Sequence, residues 1–194
     1  ELKKSFSYGN AIKNGVPVVI IGRPNAGKST LLNKIINEDR AIVSDIPGTT
    51  RDTIEESFII KGIEFRFIDT AGIRETLDSV EKIGVNRSFK MAKKASILIY
   101  LYDASETSQQ EVKHDLLTFQ NEDSLTLTIA NKIDLLDKNT MIGDLKITAH
   151  NNSDVETVKR EIFKCFQQIG DNHEGAILTN HRHLEAINLC LKDL

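Results

Sequence analysis

An eight-residue glycine-rich segment limits the folds open to this chain more than any other part of its sequence. The β-branched run at 16–21 predicts a buried strand, and residues 28–37 carry leucine and isoleucine at helical spacing. Between them, Gly22 to Ser29 reads GRPNAGKS and matches the pattern G-x-x-x-x-G-K-[ST]. Glycines let the backbone curl so that successive N–H groups point inward, and a helix N-terminus adds positive potential. The segment therefore predicts a phosphate-binding loop.

Two side chains of this loop have specific expected roles. Lys28 is expected to bridge the β- and γ-phosphates of a nucleoside triphosphate, and the Ser29 hydroxyl is expected to bind Mg²⁺. The alternative is a glycine-rich turn that matches the pattern by chance, which the flanking strand and helix disfavour. The residues expected to contact nucleotide here are Asn25, Ala26, Gly27, Lys28, Ser29 and Thr30.

Two further motifs follow predicted strands. Asp69 to Gly72 (DTAG) follows the second strand of a predicted hairpin, where Asp69 would hold magnesium through water and the glycine N–H would meet the γ-phosphate. Asn131 to Asp134 (NKID) follows a later apolar strand, where the Asp134 carboxylate would accept two N–H bonds that guanine donates and adenine does not. Ligands of open α/β sheets bind at the carboxyl edge of the strands. The three motifs in this order predict a guanine nucleotide site.

The remaining expected contacts lie in two loops. Residues 38–52 have no periodicity and are rich in Asp, Pro, Gly and Thr, so they form either an ordinary surface loop or, as we favour, a switch in which Thr50 completes the magnesium shell. After the last predicted strand, the Ala149 N–H is expected to meet guanine O6, and His150 is expected to be exposed. Together with the strand-end motifs, these loops contribute Ser44, Asp45, Ile46, Pro47, Gly48, Thr49, Thr50, Asp69, Thr70, Ala71, Gly72, Asn131, Lys132, Asp134, Thr148, Ala149 and His150.

The order of strands and helices predicts the fold class. Apolar strands at 97–103 and 125–131 are separated by a helix around 108–120, residues 145–148 form a shorter strand, and 155–169 form a closing helix. Residues 53–60 and 63–69 flank Lys61-Gly62, a two-residue connection typical of a hairpin. The pattern predicts an α/β fold with a mostly parallel six-stranded sheet and helices on both faces.

Composition excludes several classes of protein. Lys and Arg number 25 against 28 Asp and Glu, and the net charge of -3 is not that of a domain that binds nucleic acid by charge alone. No apolar run approaches the ~18 residues that a membrane span requires. Cys165 and Cys190 form neither a disulfide framework nor a zinc pattern. We therefore expect a cytoplasmic protein that makes no membrane contact.

The strings GRPNAGKSTLLN, DIPGTTRD, DTAGIRE, VEKIG and NKID resemble the G domain of the bacterial tRNA-modification GTPase family called MnmE or TrmE. The resemblance covers roughly residues 16 to 169, and FSYGNAIKNG and TNHRHLEAI are similar to the helical domain into which that G domain is inserted. It implies a Ras-like G domain of the P-loop NTPase fold at 16–170. It also implies short flanking helices, with a helical-domain segment at 1–15 and a linker and returning helical segment at 171–194.

The resemblance also implies how hydrolysis is catalysed. Ras-like GTPases orient the attacking water with a glutamine just after D-x-x-G, and here that position is the apolar Ile73. The MnmE family uses instead a glutamate of its V-E-x-I-G segment, which matches Glu81. A potassium ion replaces an arginine finger, and oxygen ligands suit such an ion. The implied catalytic residues are Glu81, Lys28 and Asn25, and the implied potassium ligands are Asn25, Ser44, Ile46 and Thr49.

The partners are likewise implied by the resemblance. They are a second copy of the chain, joined through the G domains and an N-terminal domain missing here, the flavoprotein MnmG (GidA), and a tRNA whose wobble uridine receives an aminomethyl-type group. Two other functions stay open. A ribosome-assembly GTPase of the Der/EngA type would act as an rRNA-binding switch, and Ala26, Glu75 and Glu81 favour the MnmE family over it. The second open function is that of a nucleotide-binding scaffold with negligible turnover, and Asn25 and Glu81 argue against it.

Overall fold

A six-stranded sheet forms the centre of the computed structural model, which describes residues 14–39, 56–68, 92–119, 121, 124–136 and 143–171. The strands lie in the order β2-β3-β1-β4-β5-β6. Only β2 and β3 pair antiparallel, and the other neighbouring strands are parallel. The strands are β1 (Val16–Ile21), β2 (Glu56–Ile60), β3 (Ile63–Phe67), β4 (Ile97–Asp103), β5 (Leu125–Asn131) and β6 (Leu145–Lys146). The predicted mostly parallel six-stranded sheet is confirmed.

The described ranges contain three α-helices: α1 (Lys28–Asp39) after β1, α2 (Gln109–Phe119) between β4 and β5, and α3 (Asn152–Asp171) after β6. A single 3₁₀ turn, Ile133–Leu135, follows β5. Strands β1, β4 and β5 have the predicted bounds. The last strand is shorter than the predicted 145–148, because the Thr148 N–H donates to the Asp154 carboxylate at 2.8 Å instead of continuing the sheet. Helix α3 begins at Asn152 and continues to Asp171, whereas the sequence predicted a closing helix at 155–169.

Alternate residues of the central strands face two separate apolar cores, as the period of a β-strand requires. On one face, Val18, Ile20 and Ile99 pack in a core with Leu31 of α1 and Val158 of α3. On the other, the core contains Val19, Ile21 and Leu98 together with Val112 of α2. The prediction of helices on both faces is therefore confirmed. This sandwiching leaves the carboxyl edge of the parallel strands as the place where loops from both faces meet.

The hairpin of β2 and β3 has the two-residue turn that the sequence predicted. Lys61 has a φ of 50° and Gly62 a φ of 81°, and positive values at both positions are those of a type I′ turn. The Lys61 ammonium lies 4.7 Å from the centroid of the Phe163 ring on α3. The turn is thus held against the helix that covers one face of the sheet.

Several predictions concern residues outside this part of the chain. They are the flanking segment 1–15 except its last two residues, the first loop up to residue 55, the segment 69–91, and the returning segment after residue 171. Among the helices that the structure does describe, none combines the length and the apolar composition needed to cross a membrane.

Candidate nucleotide-binding site

Residues 22–27 connect β1 to α1 in a conformation that two glycines make possible. A Cβ on Gly22, whose φ is 151°, would lie 1.9 Å from the Leu101 carbonyl oxygen on β4. A Cβ on Gly27, whose φ is 94°, would lie 2.3 Å from Nδ2 of Asn131. Only a residue without a Cβ lets the loop approach its neighbours this closely. The glycines of the predicted phosphate-binding loop therefore shape it by close packing as well as by backbone freedom.

Lys28 is the first residue of α1, and its side chain reaches back across the loop. Its ammonium donates to the carbonyl oxygens of Gly22 at 2.9 Å and Arg23 at 2.7 Å. Burial disfavours the charged form and lowers the pKa of Lys28 to about 8. A phosphate group beside this ammonium would favour its charged form. Lys28 is thus a largely buried cation whose charge a neighbouring anion would stabilise.

Asn25 and Ser29 stand on either side of this lysine. Asn25 is exposed in the turn of the loop with a φ of 61°, a left-handed conformation that asparagine adopts more readily than most residues. Ser29 is half-buried in the first turn of α1, which begins with a hydrogen bond from the Leu31 N–H to the Gly27 carbonyl at 2.9 Å. Asn25 thus lies in the loop itself, and Ser29 lies at the start of the helix that follows it.

A cavity of about 200 Å³ opens beside the phosphate-binding loop at the carboxyl ends of β5 and β6. It is lined by Gly27, Thr30, Asn131, Lys132, Asp134, Leu135, Thr148, Ala149 and His150. All of these except Leu135 are sequence-predicted nucleotide contacts, so the structure brings two distant motifs to one cavity. His150 is exposed, as predicted. Leu135 was missed; its position directly after NKID is the signal in the sequence that could have found it, and in the structure it is 64% exposed.

Asn131 connects the phosphate-binding loop to the loop after β6. Its Nδ2 donates to the Ala26 carbonyl at 2.8 Å, and its Oδ1 accepts from the Ala149 N–H at 2.9 Å. The residue is buried, so water does not compete for these bonds. The Ala149 N–H, which we expected at guanine O6, is directed here at Asn131. It would contact O6 only if the two acceptors shared it.

The two other polar residues of NKID are held by different partners. Asp134 accepts a hydrogen bond from the Thr148 hydroxyl at 3.0 Å, which ties it to the loop after β6. Lys132, with a φ of 62°, places its ammonium 2.5 Å from Oδ2 of Asp103 at the end of β4. Burial alone would raise the pKa of Asp103, but hydrogen bonds from Lys132 and Ser105 outweigh it and lower the pKa. Lys132 therefore ties NKID to the end of β4.

The other predicted site residues lie outside the described residues. They are Ser44, Asp45, Ile46, Pro47, Gly48, Thr49, Thr50, Asp69, Thr70, Ala71, Gly72 and Glu81. Of the predicted magnesium ligands the structure describes Ser29, and of the predicted potassium ligands it describes Asn25. These metal assignments stay predictions.

Comparison with known proteins gives matches along most of the chain. A family model described as a 50S ribosome-binding GTPase matches residues 17–132. The tRNA modification GTPase MnmE of Cytophaga hutchinsonii is 44% identical over 196 residues, which cover 98% of this chain and 43% of that protein. MnmE of Flavobacterium johnsoniae is 42% identical over 205 residues, with coverage of 98% and 44%. The chain thus spans less than half the length of these curated relatives.

A solved structure shows the same fold. The FeoB G-domain from Methanococcus jannaschii superposes with a TM-score of 0.55 at 20% identity, covering 78% of this chain and 97% of that one. The family match begins in β1 and ends within NKID, so it includes the glycine-rich loop and, of the residues that line the cavity, Gly27, Thr30, Asn131 and Lys132. The resemblance to the G domain of the MnmE family is confirmed by the relatives. The chain, whose glycine-rich loop and NKID segment line one cavity, therefore belongs to the 50S ribosome-binding GTPase family.

Proposed function

We propose that this chain hydrolyses GTP to GDP and phosphate as the G domain of a tRNA-modification GTPase. The bridge through Asn131 supports this most directly, because one buried amide holds both Ala26 of the phosphate-binding loop and Ala149 of the loop after β6. The bridge sets the spacing between a phosphate site and a base site. A site built in two linked parts fits a nucleotide better than a phosphate alone.

The described residues fit GTP in their chemistry. The Lys28 ammonium offers a cation to the β- and γ-phosphates, and the Asp134 carboxylate lines the cavity as an acceptor for guanine N–H groups. Magnesium would be held by Ser29 with Thr50 and, through water, Asp69, since hydroxyl and carboxylate oxygens suit this hard ion. When bound, it would neutralise charge on the phosphate oxygens.

Potassium stimulation and dimerisation form the finer part of the proposal. The exposed amide of Asn25 supports it, because an amide oxygen in a surface turn can enter the shell of an alkali cation without first breaking a buried contact. Ser44, Ile46 and Thr49 complete the proposed ligand set. Glu81 would orient the attacking water, a task that the apolar Ile73 cannot perform.

The wider role follows from the names of the relatives. Both relatives described above are tRNA modification GTPases that match 98% of this chain. We therefore extend the proposal to a cytoplasmic homodimer that works with an MnmG-type flavoprotein on the wobble uridine of tRNA. The other candidate is a ribosome-assembly GTPase, which the family description "50S ribosome-binding" favours.

GTP turnover in KCl and in NaCl at matched ionic strength tests the catalytic proposal. We expect hydrolysis to be faster in KCl and to rise more than linearly with protein concentration, because each site would be completed by a second copy. Asn25→Ala should remove the potassium effect, whereas Glu161→Gln, in an exposed ion pair of α3, should keep it. Equal, negligible rates in both salts would favour a nucleotide-binding scaffold.

Deletion of the gene in its own organism separates the two wider roles. Loss of the modified wobble uridine from digested tRNA, measured by mass spectrometry with normal ribosomal subunit profiles, is the expected result. Normal tRNA nucleosides together with accumulated ribosomal precursors would instead support the ribosome-assembly function.

A further inference from the structure

Arg23, the second residue of the phosphate-binding loop, is held by two carboxylates of α2. Its Nε lies 2.8 Å from Oδ2 of Asp115 and one terminal nitrogen lies 3.3 Å from Oδ1, so this pair is bidentate. Its other terminal nitrogen is 2.5 Å from Oε1 of Glu111. Paired arginine and carboxylate groups of this geometry are both stronger and more directional than neutral hydrogen bonds. Although Arg23 belongs to the phosphate-binding loop, its guanidinium pairs with carboxylates of α2.

Asp115 is itself held by a hydrogen bond from the sheet. The hydroxyl of Tyr100, a residue of β4 that is fully buried, donates to Oδ2 of Asp115 at 2.7 Å. Burial and this hydrogen bond raise the pKa of Tyr100, so the phenol stays a donor. The Asp115 side chain is only 15% exposed, whereas that of Glu111 is 44% exposed. Asp115 is therefore the stronger anchor of the two carboxylates.

The backbone of the same arginine supports the phosphate-binding lysine. The Arg23 carbonyl accepts the Lys28 ammonium at 2.7 Å and the Ala26 N–H at 3.4 Å. A shift of Arg23 toward solvent would thus move the oxygen on which Lys28 is held, and with it the curl of the loop. The chain of contacts runs from the sheet through Tyr100 and Asp115 to Arg23, and from there to Lys28.

We propose that Arg23 is a positioning residue, which the Tyr100–Asp115 pair holds so that the phosphate-binding loop keeps the shape that binds nucleotide. Arg23 does not bind phosphate in this arrangement. The inference rests on the proposed function, because it concerns the nucleotide affinity of that same loop. It adds α2, which lies opposite α1 and α3 on the sheet, to the elements that determine this affinity.

Affinity for GDP, measured with a fluorescent GDP analogue and by competition on the 194-residue chain, tests this. We expect Arg23→Met and Asp115→Asn each to weaken GDP binding by about tenfold, since each removes the same charge-assisted pair. The double variant should be no weaker than either single variant. Arg23→Lys should recover only part of the affinity, because an ammonium cannot form the bidentate pair.

Matched variants separate this role from two others. Glu111→Gln, at the exposed carboxylate, should change affinity less than about twofold, and Glu161→Gln on α3 should not change it. If Arg23 bound phosphate directly, Asp115→Asn would free it and leave affinity unchanged or tighter. If the pair served only folding, the melting temperature would fall at unchanged affinity. Either result overturns the inference.

Two further measurements distinguish a folding defect from a change in nucleotide binding. Tyr100→Phe removes only the hydroxyl that donates to Asp115, and we expect about threefold weaker GDP binding in that variant. It carries the test if Asp115→Asn does not fold. Wild-type chain that binds no GDP would overturn both this inference and the proposed function, whereas normal wild-type binding with unaltered variants would overturn the inference alone.

Discussion

Lys28 shows at the scale of one residue how burial prepares a site for an anion. With the pKa of Lys28 lowered to about 8, the ammonium of the free protein loses its proton just above neutral pH. Bound phosphate favours the charged form, so at higher pH binding must take up a proton. Between pH 7 and 8.5 we expect the dissociation constant for GDP to rise about fourfold.

Isothermal titration calorimetry in two buffers of different ionisation enthalpy measures both the affinity and this proton uptake. Lys34→Met, on the same helix but paired with Asn152, serves as a control and should keep the wild-type pH profile. An affinity that is flat from pH 7 to 8.5, with no proton uptake, would contradict the assignment of a lowered pKa to Lys28.

Alanine substitutions at two glycines with positive φ should lower the free energy of unfolding by different amounts. Alanine at Gly22 would place a methyl group 1.9 Å from the Leu101 carbonyl, whereas alanine at Gly62 meets nothing within 4 Å. We expect Gly62→Ala to lower the free energy of unfolding by about 1 kcal/mol through its left-handed backbone. Gly22→Ala should lower it by roughly 3 kcal/mol, because backbone must also move. Urea unfolding gives both values, and equal losses would refute the close approach of the loop to β4.

At the scale of elements, adjacent residues of β2 test the orientation of the strand. Phe58 is buried and its ring lies 5.4 Å from that of Phe65 and 5.0 Å from that of Phe67, whereas Ile59 is 47% exposed. Phe58→Ala should lower the free energy of unfolding by about 3–5 kcal/mol. Ile59→Ala should lower it by no more than about 1 kcal/mol. Chemical denaturation measures the two losses, and similar values would show that the strand is turned or frayed.

The sequence predicts the elements best where one physical signal dominates. The bounds of β1, β4 and β5 were predicted because continuous apolar runs mark strands buried on both faces. The end of β6 was not, because it depends on a hydrogen bond from the Thr148 N–H to a carboxylate six residues away. Local patterns carry no information about such competition between a side chain and the sheet.

The same division applies to the site. The placement of Lys28 at the glycine-rich loop and of Asp134 at the cavity was predictable, because motifs for phosphate and guanine binding fix residue types at fixed spacing. The link from Arg23 to Asp115 spans 92 positions, so no local motif contains it. The double role of Asn131, as anchor of Ala26 and Ala149, is equally a product of packing. Chemistry that recurs within short segments is predictable from sequence, and contacts between distant segments require the fold.

For the molecule as a whole, the site joins loops that follow β1, β5 and β6, so a bound nucleotide should stabilise the entire sheet. GDP with Mg²⁺ at 100 times its dissociation constant adds about 2.7 kcal/mol to the free energy of unfolding. In a chain of this size, that raises the melting temperature by about 5–10 °C. ADP at the same concentration should produce no comparable rise, because adenine lacks the two N–H groups that we propose Asp134 to accept from guanine.

Asp134→Asn converts this expectation into a test of base recognition by the folded molecule. An amide loses one of the two bonds to guanine but can donate to the oxygen that xanthine carries at the same position. If GDP binding weakens about 100-fold, the same concentration only equals the dissociation constant, and the melting temperature should rise by no more than about 2 °C. Xanthosine diphosphate should restore the larger rise in Asp134→Asn and give little in the wild type. Differential scanning fluorimetry measures all four combinations. If the variant responded to both nucleotides as the wild type does, Asp134 would not be the residue that reads the base, and the cavity beside Asn131 would have to recognise guanine through backbone groups.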